Sequence, residues 1–371
     1  LLATFSDTLA RSLHTKLRRL ISSDPKVGER LEVAAMDAIG ERLYEAHFGR
    51  TKLASPADIR SILSECASAQ ATQQFSLQFM LSEWDNIVDE CQLQSWEAYR
   101  DVRRLGRKTR LPESQRAALW TVFEMVQAEL KQRGLITRAG IFVRLADELP
   151  GRRNPPFDFA VIDEAQDVSV AQLRFLAALG GDRPNALFFA GDLGQRIFQQ
   201  PFSWKALGVE IRGRARTLHI NYRTSHQIRM QADRLLGPEV SDVDGNSEDR
   251  RGTVSVFNGV PPEIRSFADA QSESTAAGAW LAACVKDGVL PHEIGLFVPS
   301  GEELDRARSA MASAGIASKT LDEKTLATPD HASISTMHTE RHLLYVACTR
   351  ARDRLWVSGV EPTSEFLDDL K

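Results

Sequence analysis

The sequence predicts an α/β protein with two parallel-sheet lobes, the first of them interrupted by an all-helical block. Three observations lead there. Two short apolar runs end in acidic residues, Phe157–Ile162 before Asp163-Glu164 and Leu187–Ala190 before Gly191-Asp192, and a helical pattern around Ala171–Leu179 lies between them. Strand, helix and strand in that order describe buried parallel strands whose ligands gather at the carboxyl edge of the sheet. Between about 41 and 149 the apolar residues keep helical spacing, and no strand alternation is visible. After Arg216 strand-like and helical segments alternate again.

Taken in order, residues 1–20 read as the end of a buried strand, Leu1–Phe5, turning at Ser6-Asp7 into an amphipathic helix. Ser6 or Asp7 would cap that helix, and Leu9, Leu13 and Leu17 fall on one face of it. The helical block places Leu43, Phe48, Ile62, Phe75, Phe79, Trp84, Leu93 and Trp96 in its core. In the second lobe the expected strands are Thr253–Phe257, Ile294–Val298, Ala332–Thr336 and Arg354–Ser358, with helices at Gln271–Lys286 and Glu302–Ala314. Gly237–Gly252, rich in Asp, Ser, Asn and Gly, reads as a loop or a replaced insertion. The expected organisation is a first lobe of residues 1–40 and 150–215, a helical insertion over 41–149, and a second lobe over 216–371.

Composition narrows the function classes. A chain of 371 residues is long for one domain, and 43% hydrophobic with 26% charged residues is an ordinary globular mix. No run of about 18 apolar residues suggests a membrane span, and no signal peptide is visible. A chain opening Leu1-Leu2-Ala3 without methionine is expected to have lost its true start. Cys66, Cys91, Cys284 and Cys348 form no CxxC pair, which fits free thiols in a reducing cytoplasm. A net charge of −4 argues against blanket electrostatic binding to nucleic acid but leaves room for a locally basic groove. Arg100–Arg110, with Arg103, Arg104, Arg107 and Lys108, is either such a surface or a solvated helix face.

The chemistry concentrates at Asp163-Glu164-Ala165-Gln166-Asp167, directly after a buried strand. An aspartate there suits Mg²⁺, a hard cation that prefers carboxylate oxygen, and a neighbouring glutamate can polarise an attacking water. The alternative is an acidic turn that caps the next helix through its dipole.

Four further segments stand in sequence with it: Gly191–Phe198 (GDLGQRIF), Leu218–Ser225 (LHINYRTS), Ile334–His338 (ISTMH) and Leu343–Arg352 (LLYVACTRAR). Together with the opening LLATFSDTLA, these segments resemble motifs Ia to VI of the UvrD/Rep-like superfamily 1A DNA helicases. The resemblance implies two RecA-like domains of the P-loop NTPase type, with a helical insertion in the first. It also implies an ATP- and Mg²⁺-dependent translocase or helicase on single-stranded or partly duplex DNA, of 3′→5′ polarity, acting in repair, replication restart or defence. No membrane association is implied, and a cytoplasmic monomer is expected.

Carried over by position, Asp163 would hold Mg²⁺ with Glu164 beside it, and Glu164 would be the catalytic base. Gln195 would bond the γ-phosphate or the attacking water. Arg223 and Arg350 would act as arginine fingers, an effect worth about 10³–10⁵ in rate in related chemistry. Phe5, Phe198 and His338 would meet DNA, bases stacking on the aromatic rings. The usual Trp-Arg-Gly continuation is replaced by Gln200-Pro201-Phe202 with Trp204 beyond, so Phe202 and Trp204 are candidates either for stacking or for the core.

Three departures stand out. The sequence contains no GxxxxGK[ST] phosphate-binding loop, which the family places before the LLATF segment, and without it tight ATP binding and turnover by these residues alone are not expected. The fifth motif breaks off at His338, with Thr339-Glu340-Arg341 leading at once into the sixth, so chain is expected to be missing at that junction. The stretch from Ser225 to Ile334 leaves little room for a regulatory insertion in the second lobe. A non-hydrolysing DNA-binding or scaffold protein on the same fold is the alternative function.

Overall fold

The computed structural model of the chain describes all residues except 22–23, 71–74, 103–110, 152–153, 193–194, 196–201, 212, 237–238, 242–243, 246, 250–251, 322–331, 337–340 and 371. The chain forms a mixed α/β structure of parallel sheets and many helices. It divides into two compact units: Leu1–Asp192 with Phe198–Arg214 and Asp242–Gly245, and Leu193–Ile197 with Ala215–Ser241 and Asn246–Lys371.

The first unit is built on a four-stranded parallel sheet of order β2-β1-β5-β6, comprising β1 (Leu2–Thr4), β2 (Val33–Ala35), β5 (Ala160–Ile162) and β6 (Leu187–Phe189). Ser6 caps α1 (Asp7–Leu20) by accepting from the Leu9 N–H, one of the two caps expected, and Leu9, Leu13 and Leu17 are half-buried on one face. A short α2 (Pro25–Glu29) leads into β2.

One face of the sheet carries the core. Ala3, Ile162, Leu173, Phe175 and Leu176 pack there with Met36, Ile39 and Leu43 of α3 (Met36–Phe48) and with Ile141, Phe142 and Leu145 of α8 (Arg138–Glu148). The sequence reading of β5 and β6 as strands buried on both faces needs correction. Phe159 is 63% exposed and Phe188 62%, because the covering helices lie on the Ile162 side while α1 packs against β1 and β2.

The helices between have a separate core. Ile59, Ile62 and Leu63 of α4 (Pro56–Ala69) meet Met80 of α5 (Leu77–Glu83), Tyr99 of α6 (Trp96–Asp101) and Trp120, Phe123 and Val126 of α7 (Glu113–Gln132). Trp84 opens a π-helical turn over Trp84–Asp89 and packs on Phe123 at 5.9 Å between ring centroids. Of the expected core residues, Ile62 and Trp84 are buried here, whereas Leu43 belongs to the sheet's core and Phe48 is exposed. The block is not purely helical: β3 (Lys52–Leu53) pairs in parallel with β4 (Leu135–Ile136). Strands of two residues are too short to show the alternation by which a sequence betrays them.

The second unit carries small parallel sheets. β7 (Ile220–Asn221) pairs with β10 (Val254–Ser255), β11 (Glu263–Phe267) with β15 (Trp356–Val360), and β12 (Gly295–Val298), β14 (Ala332–Thr336) and β13 (Ser318–Thr320) form a sheet of order β12-β14-β13. Within Gly237–Gly252, expected to be a loop, β8 (Glu239–Ser241) and β9 (Ser247–Asp249) pair antiparallel. Met311 of α12 (Leu304–Ser313) and Leu281 of α11 (Ala270–Lys286) fill the core beside Ile334. Leu235 of α10 (His226–Leu236), Tyr345 and Val346 of α13 (Arg341–Arg350) and Leu370 of α14 (Glu365–Leu370) make another. Among the described residues no helix is long and apolar enough to cross a membrane. All four cysteines are free thiols, and burial pushes Cys348 up to about 12.

Candidate functional site

Three backbone hydrogen bonds fix the carboxyl end of β5. Asp163 N donates to Ala3 O at 2.9 Å, Ala165 N to Ala190 O at 2.8 Å, and Ala190 N to Ile162 O at 2.8 Å. The chain then turns sharply: Glu164 sits in the left-handed region at φ 53°, ψ 44°, and Ala165–Asp167 form a single 3₁₀ turn. A non-glycine residue there costs roughly 1–3 kcal/mol and persists only where the surroundings hold it. They do so through Gln166, whose Nε2 donates to Glu164 Oε2 at 2.7 Å while its Oε1 accepts from Asp192 N at 3.1 Å.

The acidic pair is not the cap of the following helix. Ser169 caps α9 (Val170–Gly180) in a capping box with Gln172, and the carboxylate of Glu90 accepts from Val170 N. Asp163 and Glu164 are thus left at the sheet's carboxyl edge, where the parallel strands direct their ligands. Burial raises the Asp163 carboxyl above the usual carboxylate range; a backbone hydrogen bond from Glu164 opposes the shift and the Glu164 charge adds to it. A divalent cation would reverse that shift. The pair fits magnesium, which takes one or two protein carboxylates when phosphates share its coordination shell. No group of three or more His, Cys, Asp or Glu among the described residues could hold a metal.

The second unit brings another set together. Asn221 Oδ1 accepts from Arg223 N at 2.8 Å and from Thr224 N at 3.2 Å, shaping the turn after β7. Ser225 N donates to Arg352 O at 3.0 Å and Thr224 Oγ1 donates to Thr349 O at 3.4 Å, so the segment after Arg223 is tied to the one around Arg350. Both guanidinium side chains are exposed. Arg350 Nη2 donates to Gln195 Oε1 at 3.2 Å, joining two of the expected phosphate-binding residues within this unit.

The aromatic candidates separate. Phe5 is 50% exposed at the carboxyl end of β1. Trp204 is 8% exposed and packs edge-on against Phe189 at 4.9 Å, inside the core of the first unit, with Phe202 stacked on it at 6.4 Å. Phe198, His338 and the basic residues Arg103, Arg104, Arg107, Lys108 and Arg110 lie outside the described residues, as does the junction between His338 and Thr339.

Gln166 and Gly191 stand within the motifs with no role that their spacing reveals. The structure gives both one. A Cβ on Gly191 would lie 2.6 Å from Gln166 Oε1 and 3.1 Å from Ala165 N, so glycine lets the second strand end approach the first. The only sequence signal was a glycine immediately after an apolar strand.

The family model of the UvrD/REP helicase N-terminal domain matches residues 1–204, more than half of the chain. The chain belongs to the UvrD/REP helicase family. No curated protein matches it. The matched span contains Phe5, the Asp163–Asp167 turn, Gln195 and Trp204; Arg223 and Arg350 lie beyond it. For a UvrD/REP helicase DNA is the implied substrate.

Proposed function

We propose that the protein to which these residues belong is an ATP-dependent translocase or helicase on single-stranded or partly duplex DNA, of 3′→5′ polarity by family analogy. The observation that carries the reading is the Glu164 carboxylate, set at the carboxyl edge of β5 by a left-handed backbone and held by Gln166. In this reading the two compact units act as RecA-like motor domains, with the helices of about 41–149 inserted in the first. Asp163 would hold Mg²⁺, and Glu164 would accept the proton of the attacking water. Magnesium, when bound with the nucleotide, supplies Lewis-acid neutralisation of the phosphoryl oxygens. Gln195 would orient water or phosphate. Arg223 and Arg350 would offset charge developing on the equatorial oxygens, the task for which a planar, permanently charged guanidinium is suited. Phe5, and Phe202 through its exposed part, would stack on bases, while Trp204 supports Phe202 from the core.

The alternative reading is a DNA-binding or scaffold protein that does not hydrolyse ATP. The two readings separate in one experiment: ATP hydrolysis with and without single-stranded DNA, alongside DNA binding, for wild type and Glu164→Gln. Stimulated hydrolysis that the substitution cuts to a small residual rate while DNA binding persists supports the motor. DNA binding without hydrolysis in wild type supports the scaffold.

A further inference from the structure

We infer that Gln166 is a positioning residue for the hydrolytic step, acting through Glu164 and not on the nucleotide itself. This role rests on the reading of Glu164 as the base. Gln166 is 7% exposed, and both ends of its amide are used. Nε2 donates to Glu164 Oε2 at 2.7 Å, and Oε1 accepts from Asp192 N at 3.1 Å. Only one orientation of the amide satisfies both neighbours, since a carboxylate can only accept and a backbone N–H can only donate. The same side chain therefore fixes the Glu164 rotamer and ties the loop after β5 to the loop after β6.

Two further features are arranged around this clamp. The left-handed backbone at Glu164 turns its carboxylate back toward residue 166, and Ala165 N is anchored to Ala190 O at 2.8 Å. Gly191 leaves room for the amide, because a Cβ there would sit 2.6 Å from Oε1. Asp192 follows Gly191 at the end of β6, so the amide spans the carboxyl ends of two neighbouring strands. A carboxylate bonded by one fixed donor keeps its free oxygen aimed in one direction, which is what proton abstraction from a positioned water requires.

The test is a double-mutant cycle on DNA-stimulated ATP hydrolysis, with wild type, Gln166→Met, Glu164→Gln and the double variant. Methionine keeps the length and removes both hydrogen bonds. Gln166→Glu, which keeps the acceptor end and removes the amide donor, serves as a second single variant. The expectation is a kcat about tenfold to a hundredfold lower in Gln166→Met, at unchanged KM for ATP and unchanged affinity for single-stranded DNA. Gln166→Glu should fall at least as far. In the Glu164→Gln background Gln166→Met should produce no further loss, because the group it positions is gone. A further tenfold loss there would show a structural role and overturn the proposal. Wild-type kcat in both Gln166 variants, with Glu164→Gln reduced to a small residual rate, would overturn the positioning role and leave the base assignment standing. Wild-type turnover in Glu164→Gln, or no hydrolysis by the wild-type protein, would overturn the functional reading and this role with it.

Discussion

Tyr99 donates a 3.0 Å hydrogen bond to Glu83 Oε1 in the middle of the helical block, where both residues are fully buried. The phenol stands among Trp120, Phe123 and Trp96, ring against ring, so the aromatic body of Tyr99 packs while its hydroxyl donates to one oxygen of a buried acid. Tyr99→Phe keeps the packing and deletes one partner of a buried polar group. It should destabilise the protein by about 1–3 kcal/mol in urea unfolding at neutral pH. An unchanged midpoint would mean that Glu83 finds a replacement donor without cost.

Gly40 and Phe142 bring α3 and α8 together over the sheet. A Cβ on Gly40 would lie 2.6 Å from the tip of the Phe142 ring, and that ring is itself buried against Phe175 at 5.6 Å. Alanine in a helix interior normally gains up to about 1 kcal/mol over glycine. Here overpacking, at about 1–3 kcal/mol, should outweigh the gain because the ring has nowhere to move. Gly40→Ala should therefore lower the melting temperature; a rise would show that the two helices can separate freely.

Asp89 carries a pH dependence of known sign. Burial pushes its carboxyl up from 3.8 to about 7; Thr137 and Gln92 donate to it and oppose the shift, while Glu90 and Asp85 add to it. Between those two values the folded chain keeps a proton that the unfolded chain releases. The contribution of Asp89 to stability is thus complete below about pH 4 and is lost as pH rises through about 7. Asp89→Asn keeps an acceptor for Thr137 and cannot ionise. It should match wild type in denaturant unfolding at pH 4 and exceed it at pH 8. A difference between the two proteins that is the same at both pH values would contradict the assignment.

Among the described residues, Phe5 is half-exposed at the carboxyl end of β1 next to the Ser6 cap, an exposure that suits stacking on a base. Phe5→Ala should weaken binding to single-stranded DNA by about 1–3 kcal/mol, roughly fivefold to 150-fold, measured by fluorescence anisotropy at fixed salt. Trp204→Ala should act differently, through loss of core packing at about 3–5 kcal/mol. A Phe5→Ala protein that binds DNA like wild type would remove the residue from the interface.

Much of the local structure was legible in the residues because local physics decides it. Ser6 before an amphipathic stretch announced a cap, and the apolar runs ending at Ile162 and Phe189 announced parallel strands with acidic ends. The motif order from Phe5 to Arg350 pointed to the family now supported over residues 1–204. Those signals need only short-range spacing, which a linear sequence preserves.

Other features depended on partners distant in sequence. Trp204 and Phe202 look alike as exposed or buried aromatics until Phe189 is placed beneath one of them. An apolar strand does not reveal whether one face or two will be covered, and Phe159 and Phe188 are uncovered because the packing helices gather on the opposite side. Whether Asp163 and Glu164 would cap α9 was settled by Ser169 together with Glu90, a residue 80 positions from the helix it binds. The clamp from Glu164 through Gln166 to Asp192 spans two strand ends that meet only when the sheet forms. Sequence alone determined which residue types stand at the ends of the strands. Tertiary structure decided which of them meet, because hydrogen bonds and burial depend on distances that only the folded chain sets.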